Sequence, residues 1–246
     1  MEKSINPWIS VVLVRTIYPS NIGAAARAVA NMGAHRLILI DPHCEINSKA
    51  KQGAAGAQEA LESLKIYKDW PDFYQSEGSG LRLALTRRSG KLRPPLDLRQ
   101  AIQRQKPFME AGDLTHIYLV FGPEDDGLSS DDLAFVNLSC QLPTYGPFPS
   151  LNLAQAVLLA LYICQSGLES FSLSSEHPPS PCLKPLYFPD QSLQDWLTAM
   201  GFDIKARRSS AYLTLRRLLL QNQPTNTELQ VLEAILQQNI RKLKER

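Results

Sequence analysis

Ile9-Ser10-Val11-Val12-Leu13-Val14, followed by an Ala-rich segment from Asn21 to Met32 and then by Leu37-Ile38-Leu39-Ile40, is the stretch on which the fold turns. The two outer pieces are continuous apolar runs. Such runs suit strands buried on both faces, as in a parallel sheet, rather than the alternation of a sheet with one wet face. The segment between them reads as a helix, with Ser20 or Asn21 as its N-cap and Gly33 as its C′ stop. Together they make one strand–helix–strand unit, whose crossover should be right-handed.

The alternation continues outward. Gly53 to Leu64 predicts a helix, Leu81 to Thr86 a strand, Ile117 to Phe121 a buried strand and Ser130 to Phe135 a short helix. Ser139 to Leu142 predicts a last strand and Leu153 to Cys164 a closing helix. Strands alternating with helices predict an α/β domain, a mainly parallel sheet flanked by helices. We place this domain at residues 1–168, a Ser/Pro-rich linker at 169–189 and a small all-helical extension at 190–246. The extension is marginal alone and is expected to pack on the main domain or a partner. Its removal is expected to spare the main fold.

With 246 residues, 44% of them hydrophobic, the chain can build a large core, and a net charge of +2 neither demands nor excludes a nucleic-acid partner. Cys44, Cys140, Cys164 and Cys182 show no C-x-x-C spacing and no accompanying His pair. That pattern argues against a metal site and for a reducing, cytoplasmic setting. No apolar run approaches a membrane span and the N-terminus lacks a signal-peptide core, so no membrane partner is expected.

Three predicted strand ends carry unusual polar loops, and ligands of open α/β sheets bind outside the carboxyl ends of strands. The first is Ser20-Asn21-Ile22-Gly23-Ala24-Ala25-Ala26-Arg27, where Gly23 and the alanines permit close backbone approach. Taken alone, Asn21 is as well explained as a cap and Arg27 as a solvated helix residue. The second, Phe121-Gly122-Pro123-Glu124-Asp125-Asp126-Gly127-Leu128-Ser129, brackets an acidic turn between glycines and lacks the alternating ligands of a calcium loop. The third, Pro149-Ser150-Leu151-Asn152-Leu153-Ala154, is either a helix cap or a ligand loop. No G-x-G-x-x-G, P-loop or G-x-S-x-G is present, and none of the four histidines falls in these loops, so Ser150 has no evident base.

Local charge is compatible with RNA. Arg82, Arg87, Arg88, Lys91 and Arg93 cluster at one strand end, and Arg207, Arg208, Arg216, Arg217 and the 241–246 segment make the tail basic. Such patches bind phosphates in a salt-dependent way, although solvated helix faces look the same. Aromatic residues are not interleaved with them, so a stacking platform is not indicated.

In order and spacing the three loops resemble the three motifs of the SPOUT class of RNA methyltransferases, in its SpoU branch. The tail residues Gly201-Phe202, Leu215-Arg216-Arg217-Leu218, Pro224, Glu228-Leu229 and Ile235-Leu236 are similar to the helical tail of that branch's tRNA anticodon-loop 2′-O-methyltransferases. The resemblance implies a deep trefoil knot in the last third of the 1–168 domain and a homodimer. It also implies S-adenosyl-L-methionine as cofactor and a tRNA ribose 2′-hydroxyl, at nucleotide 32, as acceptor. Thr86, Gly122, Leu142, Pro149, Ser150 and Leu151 would line the cofactor site. Arg27, Ser150, Asn152, Asn21 and Glu124 would serve the reaction, with Arg27 reaching the other subunit's cofactor. A ribosomal RNA 2′-O-methyltransferase of the same fold, or a non-catalytic RNA-binding module, is the alternative. Pro123 and Pro149 stand where that branch often has Arg and Ser.

Overall fold

The computed structural model describes residues 7–77, 79–87, 94–111, 114–168, 187–204, 211–221 and 224–244. Its strands are β1 (Trp8–Val14), β2 (Arg36–Ile40), β3 (Lys65–Tyr67), β4 (Leu81–Leu85), β5 (Leu96–Asp97), β6 (His116–Phe121) and β7 (Leu138–Gln141). They form one parallel sheet in the order β3-β2-β1-β6-β4-β7-β5. Leu13 of β1 and Leu85 of β4 both pair with Phe121 of β6, and Leu85 also pairs with Cys140 of β7. Four strands therefore end at one edge, and the loops that follow them emerge side by side.

The continuous apolar runs are explained by cover on both faces. Val11, Leu13, Leu37, Leu39, Ile117 and Leu119 point to a first core. Over it lie α1 (Pro19–Asn31), α2 (Ser48–Gly53), α3 (Gln58–Glu62), α5 (Leu98–Glu110) and α7 (Leu153–Leu168). The alternate residues Val12, Val14, Ile38, Ile40, Tyr118 and Val120 build a second core beneath α4 (Trp70–Ser76). The C-terminal helices α8 (Asp190–Ala199), α9 (Ala211–Gln221) and α10 (Asn226–Lys244) also belong to this side. Leu220 of α9 and Leu229 of α10 are buried in the second core, while Leu193, Leu197 and Leu236 join the three helices to one another.

This docking corrects two expectations. The tail contributes Leu220 and Leu229 to the second core, so its removal is expected to disturb the main fold and not to spare it. Two of the arginines assigned to phosphate-binding patches are also interior: Arg82 and Arg216 are each 2% exposed. Arg87 is exposed, as are Arg241, Lys242 and Lys244 on α10; Arg88, Lys91, Arg93, Arg207, Arg208 and most of the Ser/Pro linker lie outside the described residues.

Local readings also shift. The helix expected over 53–64 is only α3 (Gln58–Glu62); Gly53 is instead the last residue of α2 (Ser48–Gly53), and Gly56, with φ +82°, separates the two. Helix α1 begins at Pro19, with Tyr18 as an N-cap that offers no side-chain bond; Ser20 and Asn21 sit inside its first turn. Gly33 follows the helix with φ +60°, the left-handed stop expected of it. The close approach at Gly23 is made by α2 and not by a ligand: a Cβ there would lie 2.0 Å from the Ala50 carbonyl oxygen. Helix α5 escaped the sequence reading because it is mostly polar and turns only Leu98, Ala101, Ile102, Gln105 and Met109 inward.

At the opposite end of the sheet from these loops, His116 is buried, with its Nε2 2.9 Å from Ser10 Oγ and its ring stacked on Tyr118. Burial, with His35 and Arg36 nearby, pushes the imidazole down to about 3 from 6.5. The unfolded chain therefore binds a proton here that the folded chain refuses. Stability is expected to fall as pH drops from about 6.5 towards about 3, by at most about 1.4 kcal/mol per unit from this group. Urea midpoints measured between pH 7 and pH 4.5 check this, and His116→Gln should flatten the slope.

No helix among the described residues is long and apolar enough to cross a membrane.

Candidate active site

A cleft of about 290 Å³ opens at the shared strand edge. Its walls come from the end of β4 (Leu85, Thr86, Arg87), from the loop after β6 (Phe121 to Gly127) and from the segment after β7 (Leu142, Thr144, Pro149, Ser150, Leu151). Leu153 and Ala156 of α7 complete it. The size is at the lower end of small-molecule sites, and the lining is apolar with a few convergent polar groups. The predicted residues Thr86, Gly122, Leu142, Pro149, Ser150, Leu151 and Glu124 all lie on this lining.

Asn21 and Asn152 lie off the lining and tie its loops together. The Glu124 carboxylate accepts from the Ile17 amide at 3.0 Å, the Tyr18 amide at 3.4 Å and Asn21 Nδ2 at 2.8 Å. Asn21 Oδ1 accepts from Asn152 Nδ2 at 3.1 Å, and Asn152 Oδ1 accepts from the Ala154 amide at 2.9 Å, capping α7. The carboxylate can only accept, so it sets the orientation of each amide in turn. Glu124 also supplies acceptors at the start of α1, where Tyr18 gives none. Three loops distant in sequence thus form one polar chain, Glu124–Asn21–Asn152. Arg27 is not brought to this cleft within the chain; it projects exposed from α1.

Gly122 closes the cradle. A Cβ on it would lie 2.2 Å from the Leu128 nitrogen and 2.3 Å from the Gly127 carbonyl carbon, both backbone atoms. Gly122→Ala is expected to displace the 122–129 loop, to lower stability by about 1–3 kcal/mol and to abolish ligand binding in the cleft. Urea unfolding and calorimetry check both effects.

Sequence reasoning missed the support behind this loop. Ser129 and Asp132 form a capping box on α6 (Ser130–Leu133). Asp132 also accepts from the Trp70 indole and pairs with both terminal nitrogens of Arg15. Burial acts to raise the Asp132 carboxyl, but hydrogen bonds from Arg15, Ser129 and Trp70 outweigh it and hold the group below the usual carboxylate range. Arg15 leaves β1 with φ +50°, a left-handed conformation uncommon for a non-glycine residue. No local motif announces this pair, whose members are 117 residues apart. Arg87 was legible as a basic residue but not as a wall of the cleft.

A parallel α/β sheet with a small-molecule cleft at its strand carboxyl ends defines an enzyme-type site. The SpoU rRNA Methylase family matches residues 9–162, and the chain belongs to that family. It is accordingly a methyltransferase. The chain is 30% identical over 233 residues to the tRNA (cytidine/uridine-2′-O-)-methyltransferase TrmJ of Pectobacterium atrosepticum, covering 93% of this chain and 95% of the relative. The crystal structure of TrmJ from Z. mobilis ZM4 superposes with a TM-score of 0.68 at 27% identity, over 95% of this chain and 98% of that one. An uncharacterized tRNA/rRNA methyltransferase of Escherichia coli, LasT, is 29% identical over 69% of this chain and 75% of its own length.

Proposed function

We propose that the chain transfers a methyl group from S-adenosyl-L-methionine to a ribose 2′-hydroxyl of tRNA, at nucleotide 32 of the anticodon loop. The observation that carries this reading is the convergence of the three loops on one cleft, locked by Glu124, Asn21 and Asn152. Likeness to TrmJ over nearly the whole chain, tail included, supports tRNA as the substrate.

The residues present suit the cofactor. Leu85, Phe121, Leu142, Leu151 and Leu153 offer an apolar bed, Thr86 and Ser150 offer hydroxyls, and Gly122 lets the loop wall fold closely on itself where a side chain cannot fit. The bound cofactor supplies an electrophilic methyl on a sulfonium. The protein's own part is chiefly positioning. Ser150, exposed at the cleft, holds the acceptor ribose and is not a nucleophile. Asn21, Glu124 and Asn152 fix the loops. Arg27 of the partner subunit in a homodimer completes the site; its guanidinium stays charged, so it steadies the developing oxyanion and does not act as base, and the hydroxyl proton leaves to a substrate phosphate or to water. The same reading carries the trefoil knot and a cytoplasmic enzyme.

Incubation with labelled S-adenosylmethionine and bulk tRNA, followed by mass-spectrometric mapping, tests the proposal. A 2′-O-methyl group at nucleotide 32 is expected, and its absence from every tRNA would sink the reading. A product on ribosomal RNA alone would favour the alternative substrate, and a chain that binds RNA but no S-adenosylmethionine would be a silent binding module.

A further inference from the structure

The C-terminal helices reach the cleft indirectly, through a buried cation. Arg216 is 2% exposed, and its guanidinium lies 4.1 Å from the Phe135 ring centroid, 4.6 Å from Phe188 and 5.3 Å from Tyr74. Its Nε donates to Asp190 at 2.8 Å and its Nη1 to the Ala134 carbonyl at 3.0 Å. A buried cation is tolerated only when it is paired and hydrogen-bonded, and these aromatic faces, carboxylate and carbonyl meet that demand. The contacts join α8 and α9 to the end of α6 and the residues just after it.

Two further links run from the same place. Asn137 donates to the Leu220 carbonyl of α9, while its Oδ1 accepts the Arg82 amide of β4 at 2.8 Å. β4 leads directly to Leu85 and Thr86 on the cleft. Leu128 and Val136 share the second core with Leu220 and Leu229, and the Leu128 nitrogen is the atom packed closest over Gly122. Leu128 of the 122–129 loop thus lies in a core that residues of the tail complete, while Gly122 to Gly127 of the same loop wall the cleft.

We infer that Arg216 is a positioning residue: by docking the C-terminal helices against the end of α6, it holds the 122–129 loop in the conformation that binds the methyl donor. Arg216 is buried in this role and is not free to meet phosphate, whereas Arg241, Lys242 and Lys244 are exposed. Binding and docking are reciprocal, so whatever loosens the tail weakens the cleft, and a ligand in the cleft tightens the tail. The inference rests on the methyl-donor reading for the identity of its probe.

The test uses the full chain carrying Arg216→Met, which keeps much of the side-chain volume and removes the charge and the hydrogen bonds. S-adenosylhomocysteine affinity is read by calorimetry, and amide hydrogen exchange is read residue by residue. The affinity is expected to fall roughly tenfold, within the usual range of coupled sites, with faster exchange at Gly127 and Leu128 and unchanged protection in β1 and β6. Arg216→Lys should fall between, since it keeps the charge and loses the planar fork. Should Arg216→Met fail to fold, Asp190→Asn, which removes the negative charge of a partly exposed partner of the same cation, carries the same two readouts. Unchanged affinity with unchanged exchange at 127–128 overturns the inference. A uniform rise in exchange through β1 and β6 also overturns it, because that marks general loosening. If the unaltered chain binds no S-adenosylhomocysteine, the methyl-donor reading fails, and the exchange pattern alone then decides the role of Arg216.

Discussion

Arg27→Ala is expected to lower the rate of methyl transfer by about 10²–10³ while leaving affinity for S-adenosylmethionine unchanged, the loss typical of removing one oxyanion-stabilising donor. Arg27 is exposed on α1 and forms no part of the cleft lining in its own chain, and in the partner's cleft its proposed task is to meet the developing oxyanion, which is absent when the cofactor alone is bound. The helix tolerates the change, since alanine is its best former and the neighbouring Ala25, Ala26 and Ala28 carry the packing. Single-turnover rates and calorimetry separate the two quantities, and a matching loss of cofactor affinity would contradict the assignment. Because Arg27 is proposed to act across a dimer, chains carrying Arg27→Ala mixed with chains carrying Gly122→Ala should regain activity. Each mixed dimer keeps one cleft intact and one Arg27 to serve it.

Deleting residues 187–246 is expected to cost the main domain its cooperative fold. Leu220 and Leu229 are fully buried in the core that also holds Val12, Val14, Ile38, Ile40, Tyr118 and Val120, and Arg216 lies over the rings of Tyr74, Phe135 and Phe188 in the same core. Losing a buried leucine costs about 2–5 kcal/mol. Two such losses, together with the aromatic contacts of Arg216, approach the whole stability of a typical domain, about 5–15 kcal/mol. Urea unfolding and binding of a hydrophobic dye check this. A truncated chain with an unaltered midpoint would show that the C-terminal helices are an independent appendage.

How much of this was legible in sequence depended on whether the signal was local. The runs at Ile9–Val14, Leu37–Ile40 and Ile117–Phe121 announced doubly covered parallel strands, because both faces of each strand had to be apolar. Asn21, Glu124, Ser150 and Asn152 stood out as polar groups clustered at strand ends, although helix capping accounted for Asn21, Ser150 and Asn152 equally well. The polar helix α5 and the short β3 and β5 had no such pattern and went unread. Arg82 and Arg216 were misread as surface charge, since a sequence shows the charge and not the rings of Tyr74, Phe135 and Phe188 that receive it.

By itself the sequence determined the layered α/β class, the loops that would meet at one edge and the residue types they would present, because strand burial and strand-end loops leave marks within a few residues. Tertiary structure alone decided what covers the second face of the sheet, what holds the acidic loop and which arginines face water. Those outcomes rest on pairs such as Arg15 with Asp132, Asn137 with Leu220 and Arg216 with Ala134, which lie 117, 83 and 82 residues apart. Their energies exist only once the sheet has brought the partners into contact.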